Sequence, residues 1–102
     1  MRRGKEPRKM KDLIREFVRE GGLSNKSGVS KVQAVWPEIT GEELAGHTRV
    51  AVLRKHILSV AVDSAPYYYE LVAERGEEIR KALNKRLSSI TIQKINFHLN
   101  KV

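Results

Sequence analysis

The chain has 102 residues, 40% of them apolar, and no cysteine, so it can bury one modest core, and disulfides, thiolate metal sites and cysteine nucleophiles are excluded. Twenty Lys and Arg against 12 Asp and Glu give a net charge of +8, an imbalance that favours a polyanionic partner. No apolar run reaches the roughly 18 residues of a membrane span, and the basic start runs into an amphipathic segment rather than a signal-peptide core, so a cytoplasmic protein with no membrane partner is expected, free or at the nucleoid.

The charge is uneven along the chain. Residues 1–11, MRRGKEPRKMK, carry Arg2, Arg3, Lys5, Arg8, Lys9 and Lys11 against Glu6 alone, a net of +5 that leaves +3 for the other 91 residues. A short charged stretch containing Gly4 and Pro7 reads as a disordered arm that draws in phosphate, or more plainly as a solubility tail. The expected folded domain is then 12–102.

From Met10 to Glu20, the residues Met10, Leu13, Ile14, Phe17 and Val18 form the stripe of an amphipathic helix, ended by Gly21 and Gly22. The turn-rich LSNKSG follows as a loop, and Ser30 is placed to cap a second helix with Val32, Val35 and Trp36 on one side. Pro37 is expected to interrupt or kink it.

VWPEITGEELAGHT, residues 35–48, holds the only Trp, two adjacent carboxylates and a His, and it reads either as a reaction centre or as a seam between helices. Thr40 followed three residues later by Glu43 matches a capping box, with Leu44 and Ala45 behind it, Gly41 inside it and Gly46 as the stop. Glu42 then sits in a first turn, where a carboxylate favours the helix dipole, so the acids need no catalytic role. His47 simply follows the helix. His47, His56 and His98 are isolated and lack i, i+4 partners, so no metal and no cofactor is expected.

From Thr48 the period becomes two: Val50 and Val52 alternate with Arg49 and Ala51, and a second run sets Leu58, Val60 and Val62 on one face. Arg54, Lys55 and His56 form the turn, giving a basic-tipped β-hairpin that either touches a phosphate backbone or is merely solvated. Asp63 or Ser64 then caps a long helix with Pro66 in its first turn. Tyr68, Leu71, Val72, Ile79, Ala82 and Leu83 share one arc, but Arg75 points into it, and a kink near Gly76 would resolve the conflict. In ITIQKINFHLNKV, Ile90 and Ile92 have one phase and Ile95, Phe97 and Leu99 the other, which reads as a strand with a bulge near Gln93 and Lys94. The expected class is α+β, in the order α-α-β-β-α-β, with a three-stranded sheet carrying helices on one face.

Tyr67, Tyr68 and Tyr69 project about 100 degrees apart on a helix, so they cannot all be buried. Tyr68 is expected in the core with Leu71, and Tyr67 or Tyr69 as a contact for a partner or a base. No phosphate loop, nucleophile elbow or H-E-x-x-H occurs, and Gly41 to Gly46 lacks the Lys of a nucleotide loop, so no enzyme and no small-molecule substrate is expected.

The ordered landmarks Trp36, Ile39, Gly41, Leu44, Ala45, His47 and Thr48, then ILSVAVDS, then Tyr67 before Glu70 and Leu71, then Leu83, Asn84 and Ile95 to Phe97 resemble the DciA family of bacterial replication proteins. The resemblance covers about residues 30 to 98 and rests on the order of the landmarks. It implies a KH-like fold and a non-enzymatic role in which the protein binds the DnaB-type replicative helicase and helps load it onto DNA. Tyr67 stands where the family more often has Trp. The long basic tail that many members carry after the domain is not present by Val102, and the basic arm lies in front instead. The GxxG loop of nucleic-acid-binding KH domains is also absent, so base reading in that style is not expected. The resulting expectation is sequence-nonspecific binding of single- or double-stranded DNA through the six arm cations with Arg54 and Lys55. A KH-like RNA-binding module and a pure protein adaptor are the alternatives.

Overall fold

The computed structural model describes residues 25–100. The basic arm, the expected Met10–Glu20 helix and its Gly21–Gly22 stop lie outside the described residues. The described elements are α1 (Lys26–Thr40), α2 (Glu42–Ala45), β1 (Thr48–Arg54), β2 (Ile57–Val62), α3 (Ala65–Glu70), a π-helical turn (Leu71–Arg75), α4 (Gly76–Arg86) and β3 (Lys94–Leu99). This is the expected α+β order.

Helix α1 begins earlier than Ser30, inside the stretch expected to be a loop. Asn25 is its cap, with Oδ1 accepting from the Gly28 N–H at 2.8 Å, and Asn caps as well as Ser does. The Asn25 N–H also donates to the Leu53 carbonyl at 2.8 Å, tying the helix start to β1. A Cβ at Gly28 would lie 2.6 Å from Leu53 Cδ2 and 2.9 Å from Asn25 Nδ2, so a larger residue would have to displace the core leucine or the cap. Pro37 neither ends nor interrupts α1, which continues to Thr40. A proline inside a helix costs about 3 kcal/mol, and burying Val32, Val35 and Trp36 on the same helix offsets it at roughly 1.5–3 kcal/mol per side chain.

The expected capping box is not formed. Thr40 is still part of α1, and its hydroxyl donates back to the Trp36 carbonyl at 2.9 Å, which leaves it unavailable to α2. Gly41, at φ 98°, is the N-cap of α2 and makes the corner between the two helices; no side chain caps α2. The stretch is nonetheless a seam: Trp36 Nε1 donates to Thr48 Oγ1 at 2.8 Å, and the Thr48 hydroxyl donates to the Leu44 carbonyl at 3.0 Å, so α1, α2 and β1 are joined.

The sheet order is β1-β2-β3, with β1 and β2 antiparallel and β2 and β3 parallel. The register passes from Val50↔Val60 to Val52↔Ser59, so Ala51 is an extra residue in β1. This corrects the simple alternation: the bulge brings Leu53, opposite Leu58, into phase with Val50, and Val52 falls on the other face outside the main core cluster. Val50, Leu53, Leu58, Val60 and Val62 meet Val32, Val35, Trp36, Leu44, Leu71, Ile79 and Leu83 in one cluster, which places the helices on one face of the sheet.

Ser64 occupies the N-cap of α3 without a side-chain bond, and Asp63 is turned away to His47, so neither supplies the expected cap. The expected kink is the π-helical turn that ends at Gly76. Its wider turn shifts the phase so that Leu71, Ile79 and Leu83 all point inward, while Val72 is 58% exposed rather than in the buried arc. Arg75 swings out to Glu70 and Glu78, at 4.0 and 3.8 Å. Ile90 and Ile92 also depart from expectation, because β3 begins only at Lys94. Ile92 is buried but bonded to the Asn84 side chain instead of to a strand.

Candidate nucleic-acid interface

The hairpin turn is two residues long, with Lys55 at φ 52° and His56 at φ 69°. Two positive φ angles match the right-handed twist of a hairpin but are usually supplied by Asn-Gly, and each costs an L-residue roughly 1–2 kcal/mol. Contacts from the chain before β3 hold the turn in place. The His56 carbonyl accepts from the Gln93 N–H at 2.8 Å, and His56 Nδ1 lies 3.0 Å from the Thr91 carbonyl, which requires the Nδ1–H tautomer or an imidazolium. The tip is thereby braced and Lys55 is exposed.

Three segments meet at this end: 25–31 through the Asn25–Leu53 bond, 53–57, and 88–94 through the His56 contacts and the Ile57↔Lys94 pairing. They contain Lys26, Lys31, Arg54, Lys55 and Lys94 and no Asp or Glu. Lys31 Nζ donates to Ser89 Oγ at 3.2 Å, across the mouth of this end. A cleft of about 200 Å³ opens between Asn25, Lys55, His56 and Thr91. The eight carboxylates of the described residues lie in other segments, 38–43, Asp63 and 70–78, and of these Glu77 lines a groove together with Lys94. Like charges gathered on a rigid end create a positive potential that a phosphate backbone can neutralise.

Of the cations expected to meet nucleic acid, Arg54 ends β1 and Lys55 forms the turn, whereas Arg2, Arg3, Lys5, Arg8, Lys9 and Lys11 lie outside the described residues. Lys26, Lys31 and Lys94 join Arg54 and Lys55 only through the fold; no sequence spacing connects them.

The tyrosines divide by environment. The Tyr67 hydroxyl donates to Glu43 Oε2 at 2.6 Å, and its ring lies 5.0 Å from that of His47, whose Nδ1 is 2.9 Å from Asp63 Oδ1. The Glu43 acceptor, followed by desolvation, raises the Tyr67 phenol above its ordinary range. Tyr67 therefore closes the junction of α2, β2 and α3, and Glu43 serves there rather than in a capping box. Tyr68 is half-buried against the core, edge-on to Tyr69 at 5.4 Å, and Tyr69 is 64% exposed.

Among the described residues, no three His, Cys, Asp or Glu are grouped to hold a metal ion, and no helix is long and apolar enough to cross a membrane. No curated protein matches the chain. Residues 9–97 match the family model described as DciA, Dna[CI] antecedent, and with most of its length so matched this chain belongs to the DciA family.

Proposed function

We propose that the protein is a non-enzymatic accessory factor of bacterial DNA replication, acting in the cytoplasm or at the nucleoid, that binds a DnaB-type replicative helicase and DNA and assists helicase loading. The observation that carries this reading is the family match over residues 9–97. The folded domain docks on the helicase while the arm, Arg2, Arg3, Lys5, Arg8, Lys9 and Lys11, acts with the basic hairpin end to hold DNA nearby. Backbone charge supplies the affinity, so sequence preference is absent. Among the described residues, the grouping of Lys26, Lys31, Arg54 and Lys55 in segments without Asp or Glu supports a phosphate contact at the tip.

The test is capture of the cognate replicative helicase by the purified full chain, repeated after removal of residues 1–11 and with single-stranded DNA added. Capture that survives arm removal while DNA affinity falls sharply supports a docking domain with an electrostatic arm. No capture under any condition refutes the helicase reading. Stronger binding to single-stranded RNA than to DNA of the same length would instead identify an RNA-binding module that reads the 2′-hydroxyl.

A further inference from the structure

A groove of about 410 Å³ opens between the run of α3, the π-helical turn and α4 on one side and β3 on the other. Tyr68, Leu71, Val72, Gly76 and Glu77 form one wall, and Lys94, Ile95, Asn96 and Phe97 the other. It stays open because Gly76 has no side chain: a Cβ there would lie 3.3 Å from the Phe97 ring and 3.1 Å from the Leu71 carbonyl oxygen. Two of the three exposed large hydrophobic residues among those described stand at this place, Val72 at 58% and its neighbour one turn back, Tyr69, at 64%. Val72 is outside only because the π-helical turn rotates it out of the buried arc. A helical irregularity that exposes an apolar side chain beside an apolar groove is a frequent mark of a contact site.

The surrounding charge identifies what fits. From Ala65 to Arg80 the chain carries Glu70, Glu74, Glu77 and Glu78 against Arg75 and Arg80, a net of −2 within a protein of net +8. Arg75 bridges Glu70 and Glu78, and Arg80 holds Glu77 at 2.9 Å, so the cations of this stretch are already turned to its own acids. The surplus of two acids in this stretch, with Lys94 the one cation in the groove's lining, favours a basic over an acidic partner segment. The groove shares Lys94 with the basic hairpin end but adds apolar walls and the surplus acid of the 65–80 stretch.

We propose that this groove is the surface by which the folded domain contacts the helicase, taking a segment of that partner in which one or two apolar side chains are flanked by Lys or Arg. This assignment rests on the helicase reading given above. The apolar anchor seats between Val72 and Phe97 with Tyr69 against its edge, and a basic flank faces Glu74. An anchor of this size fits a transient contact.

The experiment measures affinity of the full chain for the purified replicative helicase, and for single-stranded DNA, with wild type, the double variant Tyr69→Ala and Val72→Ser, and Glu74→Lys. All three positions are exposed, so the fold is retained, and a matching urea midpoint verifies this. The expected result is a loss of ten-fold or more in helicase affinity for the double variant and a several-fold, salt-sensitive loss for Glu74→Lys, with the DNA affinity of the double variant unchanged. If wild type binds the helicase and both variants bind equally well, the groove assignment falls while the helicase reading stands. If the double variant instead loses DNA affinity, the face belongs to nucleic acid and the assignment is overturned. If wild type does not bind the helicase, both fall together.

Discussion

Asn84 stands in for a strand neighbour of Ile92: its Oδ1 accepts from the Ile92 N–H at 2.7 Å and its Nδ2 donates to the Ile92 carbonyl at 2.8 Å. One side-chain amide thus satisfies both backbone groups of a residue that is 1% exposed. Arg80 Nη1 donates to the same carbonyl at 3.1 Å, so the N–H is the group with no other partner. Asn84→Ala is expected to cost about 1–3 kcal/mol, the range for orphaning a buried donor, seen as a lower urea midpoint at unchanged slope. Asn84→Asp retains the acceptor and should cost less. Equal losses in the two variants would show that keeping the acceptor alone rescues nothing, and an Asp variant as stable as wild type would show that the Nδ2 donor adds nothing.

Gly41 and Gly46 bracket α2 and should respond oppositely to alanine. At Gly41 nothing lies within 4 Å of an added Cβ, but φ is 98°, so the cost is purely backbone strain of about 1–3 kcal/mol. At Gly46 φ is −69° and the nearest atoms to a Cβ are 3.5 Å away, so alanine there should be neutral or stabilise by about 0.4–1 kcal/mol through the unfolded chain. Thermal or urea unfolding of the two variants decides it, and a Gly41→Ala protein as stable as wild type would mean that the corner can be made another way.

His98 gives the fold an acid sensitivity. Desolvation lowers its pKa in the folded state below the ordinary 6.5. The unfolded chain then binds more protons as pH falls past that value, so stability is full above about 6.5 and is lost progressively between 6.5 and the lower folded value. His98→Gln should flatten the stability profile between pH 7 and 5. An unaltered profile in the variant would place the acid sensitivity elsewhere.

DNA affinity should fall steeply with salt. Neutralising about four to six phosphates gives a log–log slope of about −4 to −5 on duplex DNA and about −3 to −4 on single strands. Lys55→Ala at the braced tip should reduce that slope by about 1 and weaken all sequences alike, and removal of residues 1–11 should reduce it more. A slope near zero, or a steep preference for one sequence, would count against backbone recognition.

The regular parts of this fold were legible from period alone. The Val32, Val35 and Trp36 stripe and the Leu58, Val60 and Val62 alternation are local patterns set by 3.6- and 2-residue repeats, and both stand in the core. The conflict of Arg75 with its arc was also legible, but its solution was not: whether a helix kinks or takes a π turn depends on what lies opposite, here Phe97 against Gly76. The capping box failed for a related reason. Thr40 and Glu43 have the right spacing, but Thr40 found the Trp36 carbonyl and Glu43 found the Tyr67 hydroxyl, partners that only neighbouring turns and tertiary packing supply.

By itself the sequence determined the α+β order, the basic hairpin and, through landmarks such as Trp36, Gly41 and Leu44, the family. Tertiary structure alone decided the one-residue bulge at Ala51, the placement of Ile92 outside any strand, and the meeting of the segments that carry Lys26 and Lys31 with the Lys55 turn. Periodicity reports which way a side chain points within its own element. Which distant groups meet there is set by the closure of the core, and that closure draws on every element at once.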